Sequence, residues 1–202
     1  MGIREDFRQI QQLSHEQLAS WLDARFPASA PVQWWGAIFE EIEPGGNQFR
    51  DIPTGRRRDI FGLGGQLIGV ASERGEVSPA LAAYWFLRLS ALALKSSPKI
   101  AGLPELITPE GAAKWALSIM PISREEVVEY AEERAAAHQR ADDGFYAPVG
   151  VGAPLWEEPD PHISKLQDVE RILSALEWVE NSLVDEELHA EVEAWLSIRP
   201  RL

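Results

Sequence analysis

The chain has 202 residues, of which 45% are hydrophobic and 25% charged, with a net charge of −13 and no cysteine. That balance supplies enough apolar side chain for a packed core and argues against a disordered chain, and the length suits a single domain spanning 1–202. The missing thiols exclude disulfides, zinc–thiolate and iron–sulfur sites and cysteine nucleophiles, and fit a reducing, cytoplasmic setting.

The opening residues, Met1-Gly2-Ile3-Arg4-Glu5-Asp6-Phe7, are charged where a signal peptide needs an apolar stretch. The most apolar run, Ala80 to Leu94, contains Arg88 and is too short to span a bilayer. Charge is unevenly placed. Residues 1–122 carry 12 basic and 13 acidic side chains, net −1, whereas residues 123–202 carry 7 and 19, net −12. A field of that sign repels nucleic acid and anionic membrane and attracts a basic protein. The simpler alternative is that acidity only keeps the chain soluble.

Helix signals recur along the chain and strand signals hardly occur. Ile3, Phe7 and Ile10 fall at i, i+4, i+7, a short amphipathic helix. Ser14 and Gln17 form a capping box ahead of Leu18, Trp21, Leu22 and Phe26, and Pro27 stops that helix. Pro31 suits the first turn of the next, whose stripe is Trp34, Trp35, Ile38, Phe39 and Ile42 before Pro44-Gly45-Gly46-Asn47. Arg56 to Glu73 reads as a helix on Ile60, Leu63, Leu67 and Ala71. Its glycines, Gly62, Gly64, Gly65 and Gly69, each cost about 1 kcal/mol there relative to Ala but permit a close neighbour. Ser78-Pro79 opens a helix to about Ser96 that is apolar around most of its circumference, which marks the central, buried element.

Thr108-Pro109 repeats that start signal, with Trp115, Ile119 and Met120 following. Ser123 and Glu126 form a second capping box, opening an acidic helix to about Asp142. Residues 144–161 read as one long irregular segment. Beyond it, Leu166, Val169, Leu173, Leu176 and Leu183 follow heptad-like spacing in one helix, and Asp185 caps a last one with Leu188, Val192, Trp195 and Leu196 inside. The expected fold is all-α, an irregular bundle of about seven to eight helices.

Two features point to binding. Phe145, Tyr146, Leu155 and Trp156 lie in an uncharged, aromatic segment flanked by Asp142, Asp143, Glu157, Glu158 and Asp160, and apolar anchors inside a polar rim are how interface hot spots are built. The alternative is that this segment folds back over the bundle as a lid. Acidic helical faces are the second feature: Glu125, Glu129, Glu132 and Glu133 on one helix, and Glu186, Glu187 and Glu191 on the last. Like charges at i, i+4 cost a few tenths of a kcal/mol per pair, so a docking surface for a basic protein competes with a merely solvated face.

Chemistry-bearing motifs are weak. Arg56-Arg57-Arg58 precedes Gly62-Leu63-Gly64-Gly65, but this is neither GxGxxG nor GxxxxGK[ST], and no strand leads into it. Glu186 and His189 make one ExxH where a carboxylate-bridged di-iron bundle uses two, and neither HExxH nor GxSxG occurs. The sequence therefore predicts no metal, no cofactor and no catalytic residue.

In size, charge and helix content the chain resembles bacterial immunity proteins. The resemblance implies an antitoxin-like inhibitor that covers the active cleft of a basic toxin, with Tyr146 and Trp156 as anchors and the acidic helices steering association. Two other readings stay open. One is a helical enzyme or small-molecule-binding domain with its pocket near residues 56–69. The other is an oligomeric adaptor joined through the Trp-rich N-terminal helices.

Overall fold

The structure, a computed structural model, describes residues 2–42, 54–95, 102–132 and 161–198. These residues are mostly helical and contain no strand. In chain order the helices are α1 (Ile3–Ile10), α2 (His15–Arg25), α3 (Val32–Ile42), α4 (Thr54–Glu73), α5 (Pro79–Leu94), α6 (Pro109–Ser118), α7 (124–132), α8 (Pro161–Leu176) and α9 (Glu186–Leu196). Short 3₁₀ turns at Glu105–Ile107 and Glu180–Ser182 precede α6 and α9.

The boundaries follow from capping chemistry. Ser14 accepts from the Gln17 N–H while the Gln17 side chain accepts from the Ser14 N–H, and Ser123 and Glu126 repeat this at the start of α7. Ser78 and Thr108 each cap a helix whose first residue is proline. Pro31 departs from expectation: it lies one residue ahead of α3, and its carbonyl accepts from the Trp34 and Trp35 N–H groups. The helix expected to continue through Leu183 ends at Leu176. Its cap is the turn at 177–179, and Leu183 packs half-buried beyond the 3₁₀ turn.

α5 is the hub. It packs most extensively on α8, α6 and α4, and Ala82, Ala83, Phe86, Leu87, Leu89 and Ala91 are buried on several of its sides. That is the burial its nearly unbroken apolar composition demands. Close approach occurs at Gly65, where a Cβ would come within 2.7 Å of Ile107 Cδ1, whereas Gly62 and Gly69 meet nothing within 4 Å. The C-terminal helices attach through α8 on α5, and through α9 on α6 and α8.

Two polar clusters, one buried at Asp6 and one part-buried at Glu76, tie α1–α4 together. The adjacent tryptophans of α3, in edge-to-face contact at 5.0 Å, send their indole N–H groups to different carboxylates. Trp34 donates to Asp6 Oδ2 of α1 at 2.9 Å, and Arg25 at the end of α2 reaches the same oxygen at 3.4 Å. Trp35 donates to Glu76 Oε2 at 2.8 Å, and Arg74 Nε donates to Glu76 Oε1 at 2.7 Å while also pairing with Asp23 of α2. The Arg74 guanidinium is held above its ordinary value, chiefly by the bond to Glu76.

A backbone device positions Glu76. Gly75 is left-handed at φ +65°, and the Glu76 and Gly75 N–H groups return to the Ala71 and Ser72 carbonyls, a Schellman ending for α4 that turns Glu76 back toward α3. Asp6 is 1% exposed, so its removal strands the Trp34 N–H and uncovers the Arg25 charge. Asp6→Ala is therefore expected to cost about 2–3 kcal/mol in urea unfolding, several times the cost of an exposed carboxylate replaced in the same way. A loss under about 0.5 kcal/mol, the range of ordinary surface substitutions, would contradict the anchoring role.

Candidate functional site

The aromatic segment with Phe145, Tyr146, Leu155 and Trp156, its flanking Glu157 and Glu158, and Glu133 of the acidic helix lie outside the described residues. The other expected site residues are all placed, and all are exposed: Glu125, Glu129 and Glu132 on α7, and Glu186, Glu187 and Glu191 on α9. The structure brings the two helices to one groove. Its volume is about 500 Å³, and it opens widely to solvent.

Val128 of α7 together with Ala194 and Ile198 of α9 and its C-terminal turn form the apolar floor. Glu125, Glu129 and Glu132 form the rim, and Arg124 is the only cation among the described lining residues. The helical period explains the arrangement. On α7, Val127 and Ala131 turn inward to the core, which sends 125, 129 and 132 to the opposite side as one ridge. On α9, Leu188, Val192 and Trp195 are buried. The stripe 187, 191, 194, 198 then shares one edge of the helix, so Glu187 and Glu191 continue the line that Ala194 and Ile198 carry into the groove.

The apolar floor is not among the features that the sequence pattern marks. Val128 and Ile198 fall beside the core stripes, and an apolar side chain just off a stripe is the signal that locates it.

Not every acidic side chain here is spare. Glu186 and Glu187 occupy the first turn of α9, where negative charge opposes the helix dipole favourably. Asp185 caps the same end by accepting the Leu188 N–H at 3.2 Å, and it pairs with Lys114 of α6 at 3.2 Å. The Leu188 bond first and the Lys114 ammonium second hold the Asp185 carboxyl below its ordinary value. Glu110 of α6 accepts from the Val184 N–H at 3.4 Å and reinforces this junction.

In the segment near residues 56–69, Arg58 pairs with the adjacent Asp59 at 3.6 Å. An open depression of about 320 Å³ runs between this part of α4, at Asp59, Gly62 and Gln66, and Gln11 and Leu13 beyond α1. Trp34 and Trp35 face inward and Trp21 is half-buried. Among the described residues no group of three or more His, Asp or Glu side chains is gathered closely enough to hold a metal ion, and no helix is long and apolar enough to cross a membrane. No protein-family model, curated protein or solved structure matches the chain.

Two measurements separate the spare carboxylates from the structural one. Glu129 repels Glu125 at i−4 and Glu132 at i+3, so Glu129→Lys is expected to hold the unfolding free energy or raise it by a few tenths of a kcal/mol. A loss above about 1 kcal/mol would mean that the carboxylate serves the fold. Asp185 behaves oppositely. Its native value is depressed, so its contribution is complete above the ordinary carboxylate pKa and is lost as pH falls through the native one. Asp185→Asn keeps a capping oxygen but loses the charge, so the stability gap between parent and variant is expected at neutral pH and should close on acidification. A gap independent of pH would contradict the ion-pair assignment.

Proposed function

We propose that the chain is a macromolecule-binding protein whose α7–α9 groove receives a basic protein partner. The particular role we favour is that of an immunity or antitoxin-like inhibitor covering the partner's active cleft. The observation that carries the reading is the pairing, in one open groove, of an aliphatic floor at Val128, Ala194 and Ile198 with the carboxylates of Glu125, Glu129 and Glu132.

The apolar floor supports area burial, and the rim supports steering and orientation of positive charge. Glu125, Glu129 and Glu132 are held on one ridge at the expense of their mutual repulsion, which supports a surface kept for a partner; Glu125, in the first turn of α7, also answers the helix dipole. The mechanism is steric: the partner is held with its cleft against the groove, and no covalent step is needed.

The test begins with affinity capture from the native host by the parent chain and by the triple variant Glu125→Lys, Glu129→Lys, Glu132→Lys. The captured protein's own activity is then assayed with each. The reading predicts a basic protein that the parent retains and inhibits stoichiometrically. Its association rate should fall steeply as salt rises from about 0.05 to 0.5 M, since the Debye length shrinks severalfold. The triple variant should associate at least about tenfold more slowly. Equal binding by parent and variant, or binding without inhibition, would refute the role.

A further inference from the structure

Both walls of the α7–α9 groove are sides of helices, so the backbone N–H and C=O groups behind them are spent within those helices. Ser197 is the one uncharged polar side chain among the described lining residues, and its hydroxyl donates to the Ala194 carbonyl at 2.8 Å. An extended segment laid on Val128, Ala194 and Ile198 would lose water from its own amides and find no strand edge in return. A helix arrives with its amides already bonded and offers the floor side chains alone.

The rim charges have a spacing that suits the same shape. Glu125, Glu129 and Glu132 are exposed, and none of them forms an ion pair among the described residues. At about 1.5 Å per residue, Glu129 and Glu132 stand about 6 and 10.5 Å along α7 from Glu125. A second helix lying along α7 repeats those distances when its cations are three and four residues apart. Positions on one face of a strand recur about every 6.6 Å, so the third would lie about 13 Å from the first, beyond Glu132. Arg124, at the start of α7, bounds the acidic stretch at that end.

We infer that the groove takes an amphipathic helix of its partner, with an aliphatic stripe on the floor and lysines or arginines, three and four residues apart, against Glu125, Glu129 and Glu132. This rests on the basic-partner reading above and narrows it to one recognition element, a helix in a groove rather than an added strand or an unfolded basic tail. The two features of the groove then divide the work. The aliphatic floor rewards a helical stripe, and the carboxylates fix its register.

Three synthetic peptides of about 18 residues, long enough to sustain a helix, serve as probes. The first places Leu at i, i+3, i+4 and i+7 with Lys flanking that stripe. The second has the same composition with Leu and Lys reordered to alternate, and the third is the first with two interior prolines. Binding to the intact chain is read by fluorescence anisotropy, and the helicity of the bound peptide by difference circular dichroism. The first peptide is expected to bind and gain helicity, and the other two to bind at least about tenfold more weakly. Glu129→Lys should weaken the first peptide at least about fivefold, whereas Glu170→Lys, the same charge change at an exposed α8 position outside the groove, should weaken it less than about twofold. Equal affinity for the first two peptides, equal losses in the two Lys variants, or no binding of the first peptide to the parent would overturn the helical occupant and leave the capture experiment above as it stands. Capture indifferent to the triple Lys substitution would instead remove the partner reading, and the helical occupant with it.

Discussion

An indole N–H is a single donor at the edge of a large apolar ring, and burying the ring obliges the protein to bring an acceptor with it. α3 buries two such rings in succession, and the N-terminal half is arranged around satisfying them. Asp6 comes from α1 and Glu76 from the turn after α4, each accompanied by an arginine, Arg25 or Arg74. The carboxylates of Asp6 and Glu76 are taken from water, and the indole and guanidinium partners offset that cost while linking four helices. The left-handed Gly75 belongs to the same device, because only its turn carries Glu76 back to Trp35.

The rest of the bundle is assembled on α5. A helix apolar on most sides has no solvent face to spare, and α4, α6 and α8 cover it. α7 and α9 lie farther out and need bury only one narrow stripe each. Their remaining faces are therefore free to carry a surface that the core does not dictate. The carboxylates accordingly divide by use: Asp6 and Glu76 hold the fold, Asp185 and Glu110 hold the α6–α9 junction, and Glu125, Glu129 and Glu132 line the groove.

Much of this architecture is legible in the sequence because helix ends are local chemistry. Ser14 with Gln17, Ser78-Pro79, Thr108-Pro109, Ser123 with Glu126, and Asp185 each announce a start within four residues, and the structure places a helix at every one. The buried carboxylates are not legible in the same way. A charged side chain on an amphipathic helix reads as solvated, and what buries Asp6 is Trp34, 28 positions away. A faint signal exists, since Asp6 stands at i+3 from Ile3 and i−4 from Ile10, inside the apolar stripe. The helix end at Leu176 is hard to read because Leu183 resumes the heptad-like spacing after its interruption at Glu180, and no glycine or proline marks the stop. The acidic faces of α7 and α9 are readable individually, but the groove joins the α7 carboxylates to Ala194 and Ile198 rather than to the α9 glutamates, which depends on how α9 packs and is not encoded in periodicity.

The central claim is that the α7–α9 groove, and not the Trp-rich N-terminal half, meets the partner. Amide hydrogen exchange on the chain alone and saturated with its captured partner tests this most directly. The account predicts slowed exchange confined to residues 124–132 and 190–198, with α1–α4 unchanged. Protection appearing over α1–α4 while α7 and α9 exchange as in the free chain would contradict it.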